Sequence, residues 1–345
     1  MNKTDEIFAE LKKRLEDGIY PENSKFPSES LLADEFNVNK MTINKIVSML
    51  AEQKYLTRGL RGAGTKVAEI SARPRGAIAF LSPLTPYTIQ ILRGVYAEAI
   101  RFNFHVIVES PPIDELEHRL KMLKNANIKG VISATYGIPK LPENMLLFCI
   151  DTNPAGNNPQ VHFINSDNYL GGTQIMTEIL RHGHREILIF SSERFHSDYN
   201  APKTPRVQGF HKILQDNGIN DFEERTFYSA PSSIADAKYF LETYLKRFPS
   251  TTLIAADSDG SAAILHSAAL QLGIDCPGKI ALTGFGNVSP LPIANVNQNP
   301  ERQGELAARH LIDYTITGKD NAPSAENVET SLTNIELIPI ILNNS

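Results

Sequence analysis

The sequence has too few cysteines for a disulfide framework: only Cys149 and Cys276 occur in 345 residues. Both lie in apolar or turn contexts without metal-ligand spacing and read as buried free thiols. Long apolar runs are missing too. Met1 is followed by Lys3, Asp5, Glu6 and Glu10 where an export signal would carry its apolar segment, and no stretch reaches membrane-spanning length. A cytoplasmic protein with no membrane partner is expected. No internal repeat or low-complexity segment appears. The residues that follow the apolar stretch 77–81 form no nucleotide-binding glycine fingerprint, and there is neither a phosphate loop nor a spaced Ser/His/Asp set. These gaps speak against an enzyme and against a bound cofactor. Excess positive charge is absent as well, since the net charge is −5, which as an average argues against a nucleic-acid partner.

The average conceals a gradient. Residues 1–70 contain eleven Lys/Arg and eleven Asp/Glu, leaving 23 basic and 28 acidic residues for the rest. Within 36–68, six basic residues (Lys40, Lys45, Lys54, Arg58, Arg61, Lys66) face one acidic residue, Glu52. A narrow basic strip of this kind is either a solvated surface or the electrostatic footprint of a DNA-binding face.

What the chain does contain, 41% hydrophobic and 21% charged residues, is ordinary for a globular protein of two to three domains. Ile7, Phe8, Leu11 and Leu15 recur at helical spacing up to a stop at Gly18. Ser28 is placed to cap a second helix with Leu31, Leu32, Ala33 and Phe36 on its apolar side. Asn39 is placed to cap a third over about 40–54, buried through Ile43, Ile46, Val47 and Leu50. Short strands are expected at 55–58 and 65–67 around a glycine-rich loop. Three helices and a glycine-rich hairpin describe a winged helix-turn-helix over 1–70. The polar, proline-containing stretch 71–76 reads as a linker.

Beyond it strands and helices alternate. Strands are expected at 77–81, 105–109, 130–134, 146–150, 186–190, 253–256 and 280–284. Helices are expected at 88–102, 113–125, 168–182, 205–217, 232–247 and 260–272. Alternation means parallel sheets covered on both faces, and over 77–345 it suggests two α/β lobes in place of one very wide sheet.

A recognition helix presents polar side chains to base edges near its N-terminus while its other side packs inward. Asn39, Lys40, Thr42, Asn44 and Lys45 alternate with Ile43, Ile46 and Val47 in that way. Asn44 suits adenine and Lys40 or Lys45 suits guanine, or either lysine holds a phosphate. Arg61, set among glycines, is placed to reach a minor groove or a phosphate from the hairpin.

Pro27-Ser28-Glu29, Leu32-Ala33, Val38-Asn39-Lys40-Met41-Thr42-Ile43-Asn44-Lys45 and Gly62-Ala63-Gly64-Thr65-Lys66-Val67 resemble the DNA-binding signature of the GntR family. The resemblance implies a DNA face that includes Ser28, Glu29, Gly62 and Thr65 beside the residues above. Glu29 either borders that face or favours the N-terminus of the second helix. The family usually has arginines where Lys40 and Asn44 stand.

Asn165 to Gly172, Arg181-His182-Gly183-His184-Arg185, Arg206 with Gly209-Phe210, Leu253 to Asp257, and Ile280 to Gly286 resemble the effector domain of the LacI/GalR family. A GntR-type reader joined to such a sensor resembles repressors of the AraR type that respond to arabinose. The resemblance implies a periplasmic-binding-protein-like fold, two α/β lobes gripping a sugar, and a homodimer on double-stranded operator DNA. It implies Arg206 and Asp257 as ligand residues, and strand C-termini are where open α/β sheets bind ligands. Asp151 ends a strand and faces the same cleft or forms a hinge turn. Ser82, Tyr87 and Tyr136 follow other first-lobe strands, while Asn287 stands where the family often has an aspartate. The stretch 194–205 reads as an insertion adding contacts or only a loop. His182 and His184 are read as holding a turn, in preference to a metal. The function expected is therefore a DNA-binding regulator, a repressor controlled by a sugar. The competing reading is a sugar-binding protein or carbohydrate-active enzyme with an accessory DNA-binding domain.

Overall fold

The computed structural model describes residues 3–59, 64–69, 75–134, 136–152, 158–191, 205–228 and 233–341. The chain divides into two compact units, 1–76 with 102–105 and 77–101 with 106–345.

The first unit consists of α1 (Lys3–Glu16), α2 (Glu29–Phe36), α3 (Lys40–Glu52), β1 (Leu56–Arg58) and β2 (Thr65–Val67). Ile7, Leu11 and Leu15, spaced by four, put one stripe of α1 against Leu32, Ile43, Ile46, Val47 and Leu50. Ser28 Oγ accepts from the Leu31 N–H (3.3 Å) and Asn39 Oδ1 from the Met41 N–H (2.9 Å), so both expected caps are made. Between those helices Asn37 takes a left-handed conformation (φ 48°), and its N–H closes α2 on the Ala33 and Asp34 carbonyls. β1 and β2 pair antiparallel, Leu56 opposite Val67 and Arg58 opposite Thr65, and a bridge from Lys25 to Lys66 adds a third short segment. The result is a winged helix. Arg61, Gly62 and most of the 71–76 stretch lie outside the described residues.

The remaining elements are β3 (Gly76–Leu81), α4 (Pro86–Arg101), β4 (Phe104–Glu109), α5 (Leu116–Asn125), β5 (Gly130–Ala134), β6 (Leu146–Ile150), β7 (Val161–Ser166), α6 (Asn168–Arg181), β8 (Ile187–Phe190), α7 (Pro205–Asp216), β9 (Thr226–Phe227), α8 (Ile234–Arg247), β10 (Leu253–Ala256), α9 (Asp259–Gln271), β11 (Ala281–Phe285), β12 (Ala294–Asn297), α10 (Pro300–Thr317), β13 (Ala325–Val328) and β14 (Ser331–Thr333). They build two six-stranded sheets, in the orders β4-β3-β5-β6-β7-β13 and β9-β8-β10-β11-β12-β14. Pairings are parallel from β3 to β13 in the first and from β9 to β12 in the second, with β14 antiparallel at its edge. Successive residues of one strand serve opposite cores: Ile189 and Ala255 pack on one face of the second sheet, Leu188, Phe190 and Ile254 on the other. That is why these strands read as continuous apolar runs.

The chain passes between the two lobes three times, after β7, after β12 and after β13. All three passages involve elements absent from the sequence expectation: β7 at the first, β12 and α10 at the second, β13 and β14 at the third. β7 and the 18-residue α10 were not anticipated, and the helix expected from 113 begins with a single 3-10 turn at Ile113–Glu115. α10 lies against α4 so closely that a Cβ on Gly94 would strike the Glu301 carbonyl oxygen, and one on Gly304 the Ile91 carbonyl oxygen. Buried Glu98 of α4 takes Arg309 of α10 (2.6 Å) and Arg101 (2.9 Å) beside that contact, and these two arginines hold its carboxyl below the usual range against the upward push of burial. No helix among the described residues is long and apolar enough to cross a membrane.

Candidate nucleic-acid interface and ligand cleft

The outward side of α3 is built by its caps and its period. With Ile43, Ile46, Val47 and Leu50 buried, Lys40, Met41, Asn44 and Lys45 are left exposed and Thr42 half-buried. Asn39 and Ser28 are exposed, but each spends its side-chain oxygen on a cap, so both act on this face first by fixing a helix start. Thr65 sits half-buried on β2, its carbonyl taken by the Phe26 N–H (2.8 Å).

Glu29 does more than favour a helix terminus. Its Oε1 accepts from Asn44 Nδ2 (2.8 Å), which joins the start of α2 to the middle of α3. One amide hydrogen of Asn44 is thereby committed, while its carbonyl oxygen and second hydrogen have no partner among the described residues and suit a base edge. Arg58, which sequence reasoning left out of the site, also reaches this spot. Its Nη2 donates to Ser48 Oγ (2.9 Å) and to the Asn44 carbonyl (3.3 Å) and stands 3.8 Å from Glu29 Oε1. The available signal was strand period: Arg58 is two residues from inward-facing Leu56 and so lies on the side of β1 that faces α3.

In the sensor, Asp151 and Tyr87 meet at the carboxyl edge of the first-lobe sheet. Tyr87 donates from its hydroxyl to Asp151 Oδ2, which also receives Gln298 Nε2 (3.3 Å). Asp151 has φ 50°, an uncommon conformation for a residue other than glycine, and its Oδ1 is buried with no hydrogen-bond partner among the described residues. Burial and then the Asp151 charge push the Tyr87 hydroxyl well above the usual phenol range, and the Arg206 guanidinium pulls it the other way. Tyr87 of one lobe therefore lies within electrostatic reach of Arg206 of the other.

Arg206 is held at the start of α7 by three contacts: Nε to Asn168 Oδ1 (2.9 Å), Nη1 to the Asp257 carbonyl oxygen (2.8 Å), and the Phe285 ring beneath it (4.2 Å to the centroid). Gly172 makes the position possible, because a Cβ there would strike the Arg206 carbonyl oxygen. Asp257 thus joins Arg206 through its backbone. Its carboxylate is buried and takes Ser191 Oγ (2.7 Å).

The other expected cleft residues sit differently. Ser82 is fully buried, its hydroxyl spent on the Ala134 and Pro83 carbonyls, and it ties β3 to β5. Tyr136 donates to the Pro111 carbonyl (2.5 Å), joining two loops at the same sheet edge. Asn287 (φ 55°) receives Thr333 Oγ1 on its Oδ1 (3.2 Å), and its N–H goes to Asn295 Oδ1 (3.0 Å), which ties it to the β12–β14 edge. The stretch 194–205 lies outside the described residues apart from Pro205. His182 Nδ1 pairs with the Glu178 carbonyl and His184 with Thr252 and the Pro339 carbonyl, as expected for residues that hold a turn. Burial pushes the Cys149 thiol up to about 12, and Cys149 and Cys276 are both free.

Gln303 of α10 had no sequence signal, lying in an unanticipated helix. Its Nε2 reaches Ser166 Oγ (2.7 Å) on one inter-lobe passage, the Gln298 carbonyl (2.8 Å) on another, and Tyr87 (3.3 Å) in the cleft.

A winged helix with a polar reading helix, carried by the same chain as a two-lobed α/β sensor, defines a DNA-binding transcriptional regulator. Residues 3–67 match the gntR family of bacterial regulatory proteins, and residues 176–334 match a periplasmic binding protein-like domain. The chain is 24% identical over 296 residues to the ribose operon repressor of Bacillus subtilis (strain 168), covering 81% of this chain and 85% of that protein. Over 70 residues it is 34% identical to the Exu regulon transcriptional regulator of Escherichia coli (strain K12), covering 20% of this chain and 26% of that one. Among solved structures it is similar in fold to a LacI family transcriptional regulator from Enterococcus faecium with bound ribose. The TM-score is 0.60 at 17% identity, covering 74% of this chain and 96% of that one.

Proposed function

We propose that the chain is a cytoplasmic repressor, a homodimer and not an enzyme, whose grip on operator DNA is set by a neutral sugar bound between the two sensor lobes. In this reading residues 1–70 bind the operator, 71–76 connect, and 77–345 sense and dimerise. The observation that carries the sugar is the buried Oδ1 of Asp151, without a hydrogen-bond partner among the described residues, with Tyr87 beside it and Arg206 opposite. A sugar hydroxyl donates to such a carboxylate oxygen and accepts from a guanidinium, and Phe285 supplies the apolar backing under Arg206. Among the described residues one arginine stands against the carboxylates of Asp151 and Asp257, a balance that favours an uncharged polyol over a sugar phosphate. The ribose operon repressor among its relatives, and the ribose-bound structure of similar fold, support the same class.

On the DNA side, Asn44, Lys40 and Lys45 read or hold the major groove, Arg61 reaches a minor groove or a phosphate, and two copies of α3 address two half-sites of a roughly palindromic operator. The ligand acts by binding one arrangement of the lobes better than the other, since only differential affinity shifts an equilibrium. Titrating the protein–operator complex with pentoses and hexoses in a gel-shift assay tests this. At least one neutral sugar should release the DNA. If every sugar that binds by calorimetry leaves operator affinity unchanged, the reading is wrong.

A further inference from the structure

The reading helix is short of one cation. Among its exposed positions only Lys40 and Lys45 are basic, and Asn44, in the centre of the row Lys40–Asn44–Ser48, is neutral. The hydrogen bonds of Arg58 fill that gap from outside the helix. β1 is three residues long, and its two-residue period sends Leu56 into the core and Arg58 to the same side, one step past the core's edge. There the guanidinium lies along α3, spanning the turn from Asn44 to Ser48. Its side chain is 44% exposed, and its hydrogen bonds to described residues all leave from Nη2, so the donors on Nη1 and Nε remain for another acceptor. A purely structural arginine would be expected to pair in fork geometry with a carboxylate. Glu29 instead gives its oxygen to Asn44 at 2.8 Å and stands 3.8 Å from Arg58, close enough to hold the guanidinium in place without saturating it.

We propose that Arg58 is a specificity-determining DNA contact that reads a guanine in the major groove from β1. Glu29 and Ser48 act as positioning residues, orienting Asn44 and Arg58 before DNA arrives. The pair is a preorganised unit: a guanidinium with Nη1 donors left for a guanine acceptor, beside an amide suited to adenine. Hydrogen bonds to α3 hold the Arg58 side chain before DNA arrives, so less side-chain freedom is lost on binding.

The inference rests on the DNA-binding reading, and the experiment separates the two. The full chain selects its preferred duplex from a random pool, and the guanines of that duplex are replaced singly by 7-deazaguanine, which lacks the N7 acceptor. At one position the replacement should weaken wild-type binding by roughly five- to a hundredfold. Binding by Arg58→Ala should be unchanged by the same replacement, since the contact is already lost. Arg58→Lys, which keeps the charge and most of the stem if the alanine variant folds poorly, should recover less than half of that discrimination. A uniform loss across all duplexes, with the salt slope reduced by about one, would make Arg58 a phosphate contact and overturn the inference. So would unchanged discrimination in both variants. If the wild-type chain selects no duplex at all, the DNA-binding reading itself fails.

Discussion

Arg206 depends on its neighbours for its position, and that sets what its removal does. Arg206→Ala takes away a donor to Asn168 and to the Asp257 carbonyl and uncovers Phe285, all within the second lobe. Sugar binding by calorimetry should fall below detection while gel-shift affinity for the operator stays within about twofold; normal effector affinity would remove Arg206 from the site. Asp151→Asn keeps an acceptor for Tyr87 but loses the charge. A charged hydrogen bond is worth about 1.5–3 kcal/mol, so sugar affinity should drop roughly ten- to a hundredfold. Lys40→Ala should weaken the operator complex, and equal affinity at every salt concentration would take Lys40 off the DNA face. His184 is a pH probe. Burial lowers its pKa, so the neutral form is the folded form. The unfolded chain binds that proton more readily, so the contribution of His184 is intact above an unfolded pKa of about 6.5 and is lost as pH falls through the lower folded value. Melting temperature should decline on acidification below that point, and less so in His184→Gln. An equal decline in both would assign the effect to other groups.

At the scale of elements, helices meet where side chains are missing. Gly172 lets α6 lie on the backbone of Arg206, and Gly94 and Gly304 let α4 and α10 touch. Gly172→Ala has no flexible side-chain end to push aside. It should cost about 1–3 kcal/mol in chemical denaturation, and it should also weaken sugar binding by shifting Arg206. Full stability with full affinity would show that α7 moves away freely. These contacts also explain what could be read in advance. The winged helix was legible nearly to the residue, because its caps at Ser28 and Asn39 are local and its apolar stripe has one period. α10 was not. Its buried face includes Gln303, Gly304 and Ala308 beside Leu311 and Ile312, a stripe too small and too polar to stand out in a hydrophobic pattern. β7 was missed because His162, Asn165 and Ser166 interrupt its apolar run, each for a reason outside the strand: His162 pairs with Asp320, Asn165 with Thr152 and Ser166 with the inter-lobe passages. At the cleft, the family resemblance pointed to Arg206 and Asp257, but it did not reveal that Asp257 presents its carbonyl, or that Ser82 and Tyr136 spend their hydroxyls on loops.

Across the whole molecule, cleft and passages are joined by one chain of polar contacts, from Asp151 through Tyr87 and Gln298 to Gln303 and Ser166. Gln303→Leu would leave the buried Ser166 hydroxyl with fewer partners and release Tyr87, at about 1–3 kcal/mol. It should change the sugar concentration needed for operator release by more than it changes sugar affinity measured without DNA; parallel changes would make Gln303 part of the cleft alone.

The threefold passage between lobes also sets an order of assembly. The winged helix has all its described elements by Val67, whereas the first sensor sheet opens at Gly76 and gains its last strand only at Val328, after nearly all of the second has been made. During synthesis the reading head is complete while both halves of its control apparatus still lack strands. A ribosome stalled anywhere between would leave a chain with a finished DNA-binding surface and no sensor to restrain it.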